Sequence, residues 1–201
     1  GGRLSLAAST LTQPYAQRLG GDLRFGLAGR RMRDGQYALD ARVLSEGLTA
    51  HAWGAGDLGK MTLSQQGIRL DVQAPSLNRL VGGPRMGRAQ VAGLLRGKAA
   101  DWRFAGTTAL ADAGVEGYGL ARVAGPVELS GDKRGLSVKA SLAGAGGAGA
   151  GFAAAILGGA PTAVIEGARL ANGQLLLRRL DVTGRGLKVQ ASGGRGPGRR
   201  C

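Results

Sequence analysis

The chain has 201 residues, of which 39 are glycine and only 4% aromatic, with one cysteine, one histidine and 27 basic against 13 acidic side chains, for a net charge of +14. The single cysteine, Cys201, excludes a disulfide framework and a cysteine-built metal site, and a histidine zinc centre or Ser-His-Asp triad has only His51 to draw on. The glycines lack the every-third-residue period of collagen, and the basic excess points to polyanions (nucleic acid or anionic lipid headgroups) or to a solvated basic face.

Apolar residues at every second position mark a strand with one apolar and one polar face. This pattern starts at once, with Leu4, Leu6 and Ala8 in a strand predicted over 3–9. The next strand, 21–28, sets Leu23, Phe25 and Leu27 against Asp22 and Arg24. Asp34-Gly35 is a turn signal, and 36–45 then sets Tyr37, Leu39, Ala41 and Val43 against Asp40 and Arg42. Strand 47–54 begins with a recurring phrase, a glycine followed by alternation: Gly47-Leu48-Thr49-Ala50-His51-Ala52. It returns at Gly67-Ile68-Arg69-Leu70-Asp71-Val72, Gly135-Leu136-Ser137-Val138-Lys139-Ala140 and Gly186-Leu187-Lys188-Val189-Gln190-Ala191. Strands follow at 60–65, at 67–73 with Ile68, Leu70 and Val72 on one face, at 89–98, and at 101–110 with Trp102 and Phe104 against Asp101 and Arg103. Further strands are predicted at 117–123, at 126–130 with Val127 and Leu129, and at 135–143 with Leu136, Val138, Ala140 and Leu142 on one face. The last three are 162–170, 174–183 and 186–192, the final one carrying Leu187 and Val189, with Asn172-Gly173 as a second strong turn signal. Leu175-Leu176-Leu177 breaks the alternation, through a bulge or local cover of both faces.

Spacing near ten residues without a long helical pattern argues for antiparallel all-β structure. Two short segments, Ser76–Val81 and Phe152–Leu157, read as one or two helical turns, each followed by a Gly-Gly pair and fresh strands. The chain thus divides into repeat segments 1–75, 76–151 and 152–194, with a glycine-rich basic tail, 195–201, read as disordered. It enters its first strand directly from Gly1-Gly2-Arg3 without an initiating methionine, which reads as an internal piece of a longer protein. The uncharged stretch from Ala140 to Ile165 is no membrane span: it is broken by glycines and Pro161, and its most apolar run, Phe152–Leu157, falls far short of the roughly 20 residues a helix needs.

Gly144-Ala145-Gly146-Gly147-Ala148-Gly149 matches the dinucleotide pattern G-x-G-x-x-G, with Glu166 downstream. Against it stand a preceding strand polar on one face (Ser137, Lys139, Ser141), a following helix too short to cross a sheet, and hairpin surroundings. Asp22, Asp40, Asp71, Asp101, Glu128 and Asp181 interleave with arginine and lysine on the polar faces, which reads as cross-strand charge pairing rather than an acid–base pair in a cleft. Phe25, Trp102 and Phe104 lie on the apolar face, away from the basic groups that a base-stacking platform needs beside them. His51, next to Trp53, reads as an ordinary strand histidine. The sequence therefore offers no catalytic set, metal site or cofactor, and no nucleic-acid surface.

The stretch from Gly125 to Gly194 resembles the β repeat of the bacterial translocation and assembly module (TamB) family of the AsmA-like group. The resemblance rests on Gly-Pro-Val-Glu-Leu-Ser-Gly-Asp at 125–132, the phrase at 135–140, Ile-Leu-Gly-Gly-Ala-Pro at 156–161, Asn-Gly-Gln-Leu-Leu-Leu-Arg-Arg-Leu-Asp-Val-Thr-Gly at 172–184 and Gly-Leu-Lys-Val-Gln-Ala-Ser-Gly at 186–193. It implies an elongated, curved antiparallel sheet, a half-pipe or β-taco with an apolar inner face and one or two short helices. It further implies a protein that spans the periplasm of a Gram-negative bacterium from an inner-membrane anchor. Such a protein moves phospholipid, or assists outer-membrane protein and autotransporter assembly and secretion, with an outer-membrane barrel partner reached through other parts of the parent.

About 12 strands at roughly 4.8 Å make a sheet some 55–60 Å long. A one-sided sheet of that kind closes on itself, packs a second layer or holds lipid. The groove residues so predicted are Leu23, Phe25, Leu27, Tyr37, Leu39, Val43, Ile68, Leu70, Val72, Trp102, Phe104, Val127, Leu129, Leu136, Val138, Leu142, Leu187 and Val189. Two other readings stay open: a structural β-solenoid or adhesin repeat, and a dinucleotide enzyme using Gly144–Gly149.

Overall fold

The structure is a computed structural model that describes residues 1–6, 13–57, 59–82, 85–115 and 117–196. Twelve strands form one sheet in strictly sequential order: β1 (Gly2–Ser5), β2 (Asp22–Arg31), β3 (Tyr37–Ser45), β4 (Thr49–Asp57), β5 (Thr62–Ala74), β6 (Ala89–Lys98), β7 (Asp101–Val115), β8 (Tyr118–Asp132), β9 (Gly135–Gly149), β10 (Thr162–Leu170), β11 (Leu175–Thr183) and β12 (Lys188–Arg195). All eleven ladders are antiparallel. The parallel rungs of a β-solenoid are absent from these ladders. The sheet is open and uncurled rather than rolled into a full gutter, with β1 and β12 at opposite edges.

Three short helices interrupt the meander, where one or two were expected: α1 (Gln13–Leu19), α2 (Leu77–Val81) and α3 (Gly151–Leu157). They follow β1, β5 and β9, one every four strands, so all three lie at the same end of the sheet. Each ends on a glycine with positive φ, whose N–H bonds the carbonyl four residues back: Gly20 to Ala16, Gly82 to Asn78, Gly158 to Ala154. Only glycine takes that conformation without steric cost. The opposite end holds five plain hairpin turns. Two of them are the Asp34-Gly35 and Asn172-Gly173 turns, closed alike by Asp34 Oδ1 accepting the Gln36 N–H and Asn172 Oδ1 accepting the Gln174 N–H, both at 3.0 Å.

Several boundaries differ from expectation. The segments 60–65 and 67–73 are one strand, β5, because the ladder runs past Gly67 (φ 72) with a register shift instead of turning. Likewise 117–123 and 126–130 are one strand, β8; pairing with β9 lapses at Gly125 and Pro126, where proline has no N–H to donate. Gly144–Gly149 is the end of strand β9, paired with β8, so it forms no phosphate-cradling loop. The leucine run of β11 contains a bulge between Leu177 and Leu180. β1 ends at Ser5, and residues 7–9 of the predicted first strand lie outside the described residues, as do 197–201 of the tail; Arg195 belongs to β12. The sheet passes unbroken through both proposed segment boundaries, since β5 pairs with β6 and β9 with β10.

A globular monomer of 20.3 kDa exposes about 8,800 Å². This chain exposes 13,323 Å². Among the described residues only Leu6, Ala74, Phe104 and Tyr118 are buried apolar side chains, and no large side chain is fully buried. The missing burial is that of a second layer: the sheet has a one-residue-thick apolar side, and among the described residues no second layer packs on it.

Candidate functional site: the apolar face

Residues directly opposite in a ladder point to the same side of the sheet. Following the register from strand to strand therefore tests whether the separate apolar faces join. Phe25 opposes Val43, Val43 opposes Ala50, and Ala50 opposes Val72. Val72 opposes Val91, and on the neighbouring row Leu95 opposes Phe104 and Phe104 opposes Leu129. Leu129 then opposes Val138, Ala140 opposes Ile165, Ile165 opposes Leu180, and Val182 opposes Val189. One apolar face thus runs across the whole sheet. Seventeen of the predicted groove residues lie on it. The exception is Leu187, which precedes β12 and stands outside the strand.

Glycines keep this face low. The Phe104 ring lies over Gly93 and Gly106, where an added Cβ would stand 2.6 and 2.8 Å from the ring tip. Trp102 lies over Gly131, its cross-strand partner, with 2.6 Å to such a Cβ, and Phe25 lies over its partner Gly2, with 2.7 Å. The large rings therefore lie flat on bare backbone. Between them the face is hollowed across β3 to β8 by a depression of about 670 Å³, with an almost wholly apolar lining that includes Leu39, Leu63, Leu70, Val72, Val91, Leu95, Trp102, Phe104 and Leu129. Two smaller hollows continue it: Trp102 is shared with the first of them, and Leu136 joins that one to the second, which reaches Leu175, Leu177 and β12. A larger cleft of about 1,320 Å³ at the helix end, between Arg85, Asp112, Tyr118 and Phe152, is mixed in polarity. We regard the apolar run as the site because its surface is mainly apolar along its length, with charged side chains only at its margins.

Sequence reasoning named no residue of β6, yet Val91 and Leu95 are part of the floor. The alternation Ala89, Val91, Gly93, Leu95 is the signal; the Leu94-Leu95 pair and the small residues masked it.

The opposite face carries the charges. Asp22, Asp40, Asp71, Asp101, Glu128 and Asp181 all fall on it by register. Arg3 pairs with Asp22, Arg179 with Asp181, and Lys139 reaches Glu166 at 4.0 Å. The bond from Arg3 holds the Asp22 carboxyl below its usual range. Asp40 accepts from His51 Nε2 at 3.2 Å and pairs with Arg42 Nε at 3.2 Å; the His51 bond, and then Arg42, hold its carboxyl low. His51 also stacks on Trp53, with ring centroids 4.3 Å apart. Both rings are thus engaged on the charged side, away from the hollows. Tyr118, whose phenol is pushed up by burial, donates to the Gly158 carbonyl at 2.7 Å and ties β8 to the end of α3. No group of three or more His, Cys, Asp or Glu side chains able to hold a metal occurs among the described residues, and no helix among them is long and apolar enough to cross a membrane.

No protein-family model, curated protein or solved structure matches the chain.

Proposed function

We propose that the apolar face is a binding surface for phospholipid acyl chains, and that the chain is an internal segment of a TamB-like, AsmA-like protein. In this reading the parent spans the periplasm from an inner-membrane anchor and carries lipid, or assists outer-membrane protein assembly and secretion, with a barrel partner engaged elsewhere. The chain is not an enzyme in this reading. The observation that carries it is the apolar face itself: continuous over twelve strands, hollowed, and left open while the chain exposes 13,323 Å². Acyl chains supply the missing layer without demanding the shape complementarity of a protein partner, and apolar area gains roughly 25 cal/mol per Å² on leaving water.

The register gives a direct test. Residues 39, 70 and 138 lie on the apolar face, and 40, 71 and 139 are their neighbours on the charged one. A photo-crosslinking amino acid at each position, irradiated with dispersed phosphatidylcholine, adds lipid mass at the first three and not at the second three. Equal labelling of both sets rejects the lipid face.

A further inference from the structure

We propose that the hairpin end of the sheet is a docking rim for an anionic lipid surface. Four of its five turns carry an exposed cation at or beside the tip, Arg33, Lys60, Lys98 and the Lys133-Arg134 pair, and the exposed Arg169 stands one residue inside the end of β10 before the fifth. Four carboxylates stand among these six cations, a net charge of +2, and three of the four are held inside their own turns. Asp34 accepts the Gln36 N–H, Asp57 accepts the Lys60 N–H at 3.0 Å and pairs with Lys60 Nζ at 3.6 Å, and Asp132 accepts the Arg134 N–H at 2.7 Å and pairs with Arg134 Nε at 3.5 Å. The remaining one, Asp101, stands opposite Lys98 in the ladder without an ion pair to it. The side chains of Arg33, Lys98, Lys133 and Arg169 have no hydrogen-bond or ion-pair partner among the described residues. At the helix end Arg79 is held by Glu46 at 2.7 Å and by the Gln17 carbonyl at 3.3 Å. The side chains of Arg18, Arg88 and Arg185 there are exposed and without a partner among the described residues, but none of them lines the main apolar hollow.

Successive hairpins stand two strands apart, about 10 Å. The five turns therefore form a row of roughly 40 Å along one edge of the sheet. The spacing matches the Debye length of about 8–10 Å near physiological salt, so each turn meets its own counter-charge instead of blurring into one. Apolar groups lie beside the cations. Met61 is 63% exposed in the turn next to Lys60, and Met61, Lys98 and Ala99 also line the main hollow, which therefore opens at this end. A row of cations fronting an apolar mouth fits a bilayer surface, with headgroup phosphates at the turns and apolar side chains reaching the acyl boundary. Base stacking by a single-stranded nucleic acid needs aromatic platforms among the cations; the rings nearest the turns, Tyr37 and Trp102, lie on the apolar face instead. The inference stands on the charge row and not on acyl binding along the face, and its assay is separate from the crosslinking with neutral lipid.

The test compares sedimentation with phosphatidylcholine vesicles and with vesicles that also contain phosphatidylglycerol. The expected result is salt-sensitive binding to the anionic vesicles only. A triple variant, Arg33→Ser, Lys133→Ser and Arg169→Ser, removes three unpartnered rim cations; at roughly fivefold per cation near an anionic surface it lowers partitioning about 100-fold. A charge-matched control at the helix end, Arg18→Ser, Arg88→Ser and Arg185→Ser, keeps wild-type binding. Circular dichroism verifies that both variants are folded. Equal loss in both triples means unspecific attraction to a basic protein and overturns the rim. So does absence of binding to anionic vesicles by the wild type, or tighter binding to single-stranded DNA with the same sensitivity to the rim variant. Crosslinking on the apolar face that succeeds while this assay fails leaves the lipid face standing and removes the rim.

Discussion

Leu70→Arg places a guanidinium in the middle of the apolar face, and the structure sets what it costs. Leu70 is half-buried in β5, and its cross-strand neighbours are Ala52 on β4 and Gly93 on β6. On the β4 side Ala52 leaves room for a longer side chain lying along the sheet, while on the β6 side the Phe104 ring already covers Gly93. Full burial of a leucine is worth about 1.5–3 kcal/mol, so the half-burial lost here is worth about 1 kcal/mol. The arginine stem recovers part of that by covering the same surface while its head stays in water. The expected destabilisation is therefore about 1 kcal/mol, read by urea unfolding followed by circular dichroism. In a closed β-sandwich the same change would bury an unpaired charge at a cost of several kcal/mol, comparable to the whole stability of a domain. Crosslinking to lipid from position 39, in the same hollow, is expected to fall in the variant because acyl chains then meet a hydrated ion. An unfolded variant, or a loss above about 4 kcal/mol, would refute the open face. A folded variant with undiminished crosslinking would refute its occupation by lipid.

Glycine substitutions separate strain from free space. Gly106→Ala would set its Cβ 2.2 Å from the Ala92 carbonyl and 2.8 Å from the Phe104 ring, and it is expected to cost about 1–3 kcal/mol, as overpacking does. Gly26→Ala meets nothing within 4 Å and is expected to be neutral or stabilising by about 0.5–1 kcal/mol in the same unfolding assay. Asp22, Asp40, Glu46 and Asp57 all have carboxyls held below their ordinary values, by Arg3, His51, Arg79 and the Lys60 N–H respectively. Their folded forms bind protons less readily than the unfolded chain, so their contribution is complete above a pH of about 4–4.5 and is lost as pH falls through the lowered values. Melting temperature should hold steady from about pH 7 to 5 and drop below about 4; a drop that starts near pH 6 would mean that another group controls stability.

Alternation made the sides of individual strands legible, since a period of two needs only local sequence. Phe25, Leu70 and Val138 could each be assigned a side in this way. Whether those sides coincide depends on register across eleven ladders, and register is carried by turns and bulges. There the reading was weaker. Gly67 and Pro126 read as breaks because they break isolated strands, whereas a sheet paired on both sides absorbs them as irregularities. Gly144–Gly149 read as a loop for the same reason. Within β9 these glycines make room: a Cβ on Gly147 would stand 2.3 Å from the Gly158 carbonyl, and one on Gly149 would stand 2.1 Å from the Gly117 carbonyl. α1 was missed although Leu19-Gly20-Gly21 repeats the ending seen at Val81-Gly82-Gly83 and Leu157-Gly158-Gly159. Its Gly-Gly pair was the usable signal, and it sat too close to the first strand to stand out. The hollows had no sequence signature at all, because they arise where rings on one strand lie down over glycines on another.

The strictly sequential order of strands carries a consequence for how the protein is made. Each strand pairs only with its chain neighbours, so no strand pairing waits for a distant part of the polypeptide, and folding can advance from one hairpin to the next as the chain emerges. Cooperativity in such an array is local, and units can be added or removed without disturbing the far end. One helix per four strands marks the unit, and each unit lengthens the sheet by about 19 Å. The number of units then acts as a ruler: the chain can be matched to a gap of given width by duplication alone, with no redesign of any interface.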